Sequence, residues 1–85
     1  MVNTLVLYDV AQHRGRRRLE TVLGQHGFVW LFPNVRWSRR PLASHDRLAL
    51  QVRACLRGEA YRVVFIETSV RERTKAVWLT STKHP

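Results

Sequence analysis

Asp9 and the arginines that follow it are the residues of this 85-residue chain best suited to chemistry. One carboxylate closes the apolar run Leu5-Val6-Leu7-Tyr8-Asp9-Val10, and His13-Arg14-Gly15-Arg16-Arg17-Arg18 follows almost at once. Carboxylates are hard-cation ligands, while guanidinium groups pair with phosphate through two parallel hydrogen bonds. An acid at a strand's end beside a basic helix start is therefore a place where a metal ion and a phosphate backbone can meet. His13 is close enough in sequence to Asp9 to be considered as a general base.

Charge points to the same partner. The chain holds 15 Lys+Arg against 6 Asp+Glu, a net +9, and 13 of the cations are arginine. Arg36, Arg39 and Arg40 form a second basic group, and Arg71, Arg73 and Lys75 a third. Several groups suit a backbone tracked over a wide surface, without sequence preference and with strong salt dependence. No segment combines a basic face with a broad aliphatic one, so a membrane surface is the poorer match, and no apolar run approaches the ~20 residues of a membrane span. Cys55 is the one cysteine, which excludes an intrachain disulfide and a thiolate zinc cluster. Ser38, Ser44, Ser69 and Cys55 have no recognisable base partner, so nucleophilic catalysis lacks support. With no leader visible in Met1-Val2-Asn3, a cytoplasmic protein is expected.

The elements that must position these groups follow from periodicity. Thr4 to Val10 is β-branched and aliphatic on both faces, which predicts a central strand covered on both sides. From Gln12 to His26 the period becomes helical: Leu19, Val22, Leu23 and His26 share one face, Arg16, Arg17, Glu20 and Gln25 the other, and Gly27 closes the helix. Phe28 to Phe32 and Val35 to Trp37 read as a hairpin about Pro33-Asn34. Ser44 is the expected cap of a second helix with His45 and Asp46 in its first turn; Leu48, Val52, Cys55 and Leu56 are its apolar face, and Gly58 ends it. Tyr61 to Glu67 is the fourth strand, residues 68–75 a polar connection, 76–80 a short fifth strand and 81–85 a tail. The order predicts a single α+β domain over residues 1–85 of the ferredoxin-like, split βαβ kind. Its antiparallel sheet carries two helices on one face. The strands carry apolar residues on both faces, including Trp30, Trp37 and Trp78, so the second face requires cover that a homodimer supplies. The alternation of the strands favours core or interface roles for these tryptophans over base stacking.

The run ending Tyr8-Asp9-Val10, the helix opening Gly15-Arg16-Arg17-Arg18-Leu19, and Gly27 before an aromatic hairpin together resemble the CRISPR-associated protein Cas-two family. The resemblance spans roughly residues 4 to 67. It implies a ferredoxin-like homodimer packed sheet on sheet, with residues 76–80 added to or exchanged with the partner. It also implies a role in spacer acquisition, bridging an integrase (CRISPR-associated protein one) and holding DNA. Many such proteins are described as metal-dependent endonucleases on single-stranded RNA or duplex DNA, and the acid ending the first strand, here Asp9, is the metal ligand. One carboxylate holds magnesium poorly, so two copies of Asp9 across a dimer axis would share one Mg2+ or Mn2+ ion. The family's hairpin serine and phenylalanine positions hold Asn34 and Arg36 instead.

The resulting assignment makes Asp9 the catalytic and metal-binding residue. Arg14, Arg16, Arg17, Arg18, Arg36, Arg39 and Arg40 contact nucleic acid. The competing readings are an RNA-cleaving toxin of the virulence-associated protein D type and a non-catalytic nucleic-acid-binding module. For Asp9 the competing local role is a helix cap or turn residue. For the arginines it is a solvated charged face, although cations at a helix start oppose its dipole and call for an anion.

Overall fold

The structure, a computed structural model, describes residues 2–69. Seven elements follow in order: β1 (Val2–Val10), α1 (His13–Gln25), β2 (Val29–Phe32), β3 (Val35–Ser38), a 3-10 turn (Leu42–His45), α2 (Leu48–Cys55) and β4 (Tyr61–Ser69). The strands form an antiparallel sheet in the order β2-β3-β1-β4. Two βαβ halves interleaved in this way are the ferredoxin-like α+β arrangement that the sequence predicts. The expected fifth strand at 76–80, the tail at 81–85, Trp78 and the basic group Arg71, Arg73 and Lys75 lie outside the described residues.

Strand period decides which side of β1 does what. Its even residues Val6, Tyr8 and Val10 are buried in one core with Leu19 and Leu23 of α1, Leu48 and Val52 of α2, and Leu56 and Phe28. Val22, Cys55, Val63 and Phe65 pack against that core half-buried. Both predicted helix faces are thus the ones buried. The odd residues Leu5, Leu7 and Asp9 point to the opposite face, where Ile66, Val64 and Arg62 of β4 stand directly opposite them. On the other flank, Trp37 and Val35 of β3 stand opposite Leu5 and Leu7. Within the described residues this second face is buried at Asn3, which stands opposite Thr68, and exposed toward Leu7 and Asp9. Leu7 is 40% exposed, Ile66 42% and Val64 51%, so β1 is central as predicted, and the cover expected on its second side would have to come from outside the described residues.

Turn chemistry sets the connections. Asn34 adopts φ +66° after Pro33, the proline-then-left-handed sequence of a type II turn. Its carbonyl accepts the Tyr8 N–H at 3.1 Å, which locks the hairpin to β1. Gly27, at φ +83°, closes α1 as expected. The second helix begins differently from the prediction. Ser44 lies within a 3-10 turn, and α2 starts only at Leu48 after Arg47, without a side-chain cap. The cause is His45, whose ring packs on Phe28 at 4.7 Å and bonds through Nε2 with Ser38 Oγ at 3.1 Å. Drawing that ring inward tightens the chain ahead of the helix, so His45 is a core residue in the preceding 3-10 turn and not in the first turn of α2.

His45 is 5% exposed, and its Nδ1 is buried without a hydrogen-bond partner. Burial, then the neighbouring His26 and Arg40, hold its pKa below the ordinary histidine value. A histidine kept neutral by folding loses proton uptake that the unfolded chain retains. Its stabilising contribution is therefore present near neutrality and lost as pH falls below about 6.5. Thermal midpoints measured from pH 7.5 to 5 should fall with acid, and His45→Gln should flatten that fall. An equal acid slope in the variant would remove His45 as its source.

Candidate nucleic-acid interface

The arginines at the start of α1 are sorted by the packing of that helix. α1 enters from Gln12 in extended backbone, without a side-chain cap and without an acid in its first turn. Asp9 is consequently a strand residue and not the cap of this helix. Arg14 and Arg17 are exposed and, with Gln12, His13, Arg18, Thr21 and Glu59, line an open cleft of about 860 Å3. Arg16 donates to His13 Nδ1 at 2.6 Å, on the helix's own first turn.

Arg18 is exposed but engaged by neighbours within the fold. Its Nε donates to the Cys55 carbonyl at 2.8 Å, and its guanidinium forms an ion pair with Glu59. The Glu59 carboxylate lies across Gly15, so close that a Cβ on that residue would collide with it. Glycine at position 15 is what allows this approach. The backbone closes the same corner, with Ala11 N–H donating to the Ala60 carbonyl at 3.1 Å. Burial also raises the pKa of the Cys55 thiol, keeping it protonated beside this corner.

Asp9 lies next to this cleft, on the uncovered face. It lines a second hollow of about 440 Å3 with Ala11, Glu59, Ala60, Tyr61 and Arg62. Arg62 is its direct cross-strand partner. Glu59 is common to both hollows, whereas His13 lines the arginine cleft alone. The geometry thus gives no support to His13 as a base for Asp9. Among the described residues no three His, Cys, Asp or Glu side chains gather into a metal-holding group. The hollow at Asp9 offers the exposed Asp9 carboxylate and Glu59, which is already ion-paired with Arg18, a set short of the oxygen shell magnesium takes. A shared ion would need a second Asp9 and substrate oxygens.

The predicted second basic group is divided. Arg36 points to the helix-covered side, opposite Val6 and Trp30. There its Nε donates to the Tyr8 hydroxyl at 3.2 Å, and its guanidinium stands 4.0 Å from Glu20. Tyr8 in turn donates to Glu20 at 2.8 Å. Burial pushes the Tyr8 hydroxyl's pKa up against the opposing Arg36 bond, which keeps it the proton donor of this network. Glu20, expected on the solvent face, is half-buried within it. Arg39 and Arg40 remain exposed at the far end of β3; Arg39 lies over the Trp37 ring at 5.7 Å. Arg40 is fixed only through its backbone by the bonds that are described, with Thr4 Oγ1 donating to its carbonyl at 2.8 Å and its N–H donating to Ser38 Oγ at 3.1 Å.

Two residues that sequence reasoning passes over now matter. Glu59 stands 41 positions from Arg18, and Arg62 faces Asp9 only through strand register. Neither relation leaves a local pattern to find. The division of the arginines is testable. Arg36→Met should lower stability by about 1–3 kcal/mol in denaturant unfolding, because it removes a charged partner from half-buried Glu20 and Tyr8. Duplex affinity, measured by fluorescence anisotropy, should stay within about two-fold, and a larger drop would return Arg36 to the binding surface. No helix among the described residues is long and apolar enough to cross a membrane. Neither a known family model nor a curated protein gives a significant match to this chain.

Proposed function

We propose that this protein is a homodimer that binds duplex DNA through its phosphates in CRISPR spacer acquisition, bridging its integrase partner, CRISPR-associated protein one. The observation that carries the binding reading is the open cleft where exposed Arg14 and Arg17 stand beside the start of α1. Exposed Arg39 and Arg40 add a second cationic region. The acquisition role rests on the resemblance carried by Tyr8-Asp9-Val10 and Gly15-Arg16-Arg17-Arg18-Leu19, and the ferredoxin-like strand order agrees with it. The uncovered apolar face, with Leu7, Val64 and Ile66, is the surface for the second copy. In this reading the protein acts in the cytoplasm.

A metal-dependent endonuclease activity belongs to the same proposal. Asp9 shares the uncovered face with Leu5 and Leu7. Pairing two such faces would bring the two acids toward a common ion, Mg2+ or Mn2+. The bound ion would supply water activation and charge neutralisation at a phosphodiester.

Binding and cleavage are tested separately. Duplex affinity titrated against salt should fall steeply, and replacing Arg14 and Arg17 together by Ala should weaken binding about ten-fold or more. The double variant should also show a salt slope shallower by roughly 0.9 for each phosphate it no longer neutralises. A flat salt dependence, or an unchanged slope, would overturn the binding reading, and failure to co-migrate with the integrase would leave a generic binder or a toxin. For cleavage, Asp9→Asn should abolish metal-dependent activity while duplex binding persists. Leu7→Glu should convert the dimer to monomer in sedimentation and remove cleavage with it. Activity surviving in either variant would dismiss the paired acid.

A further inference from the structure

We infer that Glu59 is a built-in competitor for phosphate, occupying one cation of the α1 cleft and thereby limiting how tightly nucleic acid is held. The inference rests on the phosphate-binding reading and deepens it. Among the described residues lining the cleft, Glu59 is the one acid, set against Arg14, Arg17 and Arg18. Its side chain is 12% exposed while that of Arg18 is 43% exposed, so the pair presents its cation outward and its anion inward. Arg18 is therefore reachable by an external oxyanion, but its guanidinium is already engaged by a carboxylate and by the Cys55 carbonyl.

A carboxylate and a phosphate oxygen ask the same thing of a guanidinium: an anionic acceptor for its fork. The start of α1 needs an anion because its first turn carries none. Glu59 meets that need from another part of the chain, and Gly15 keeps room for it. The anion that the arginine-rich helix start calls for is thus partly internal. Removing the Glu59 charge frees Arg18 for an additional phosphate and raises the cleft's charge by one.

Two variants approach this from different chemistry. Glu59→Gln keeps the shape and removes the charge. Gly15→Ala keeps the charge and drives the carboxylate off its seat, since the new methyl group takes its place. Both should bind a blunt duplex about three- to ten-fold more tightly at low salt. Both should also steepen the salt slope by roughly 0.9 for each extra phosphate engaged. Thermal melts establish that each variant is folded, and Arg18→Gln in the Glu59→Gln background should cancel the gain. Unchanged or weaker binding by folded Glu59→Gln protein would make the pair a structural latch only and overturn the inference. Absence of salt-dependent duplex binding by the unmodified protein would instead defeat the phosphate-binding reading itself.

Discussion

Everything in this chain depends on the two-residue alternation of β1. Val6, Tyr8 and Val10 must be dry for the helices to have something to cover, and this forces Leu5, Leu7 and Asp9 onto the opposite side. A one-residue slip of register would move Asp9 under α1 and expose the core. The Asn34 carbonyl taking the Tyr8 N–H helps hold that register from the hairpin, and the Tyr8-Glu20-Arg36 network holds it from the helix. Structure and candidate chemistry therefore share one strand, and neither can be shifted without the other.

The fold is legible in the sequence because its signals are local. Leu19 and Leu23, or Leu48 and Val52, declare a buried helix face by spacing alone, and Gly27 and Pro33-Asn34 declare turns by their backbone preferences. Ser44 misleads because a serine ahead of a helical period is a good cap in isolation; the inward pull of His45 onto Phe28 and Ser38 is a tertiary effect with no local trace. The candidate site is half legible. Composition reveals that arginines matter, but not which of them are engaged within the fold. Arg36 sits at an inward-facing strand position, something period alone could have suggested, whereas Arg18 meets Glu59 only because the α2–β4 turn closes over Gly15.

That sorting is an electrostatic consequence of crowding cations into a small domain. With few acids available, two are placed beside guanidinium groups: Glu20 beside Arg36 and Glu59 beside Arg18. Half-buried Arg36 would be unfavourable without an acceptor, while exposed Arg18 is held by its ion pair and the Cys55 carbonyl, so these pairings fix side chains as well as neutralise them. Arg14, Arg17, Arg39 and Arg40 are exposed at the surface, where mobility costs little and an incoming anion can choose its own geometry.

The two exposed arginine regions lie at opposite ends of β1, since Ser38 stands opposite Thr4 and α1 departs just beyond Val10. Strand rise separates those ends by about 20 Å. Phosphates recur at roughly 3.4 Å along one strand of a duplex, so that interval spans about six of them. On the proposed phosphate-binding reading, a very short oligonucleotide would engage one end at a time, while a longer one would engage both and gain the effective concentration of a tethered second contact. Duplex length would then enter the affinity through the spacing of two strand ends, without a single base being read.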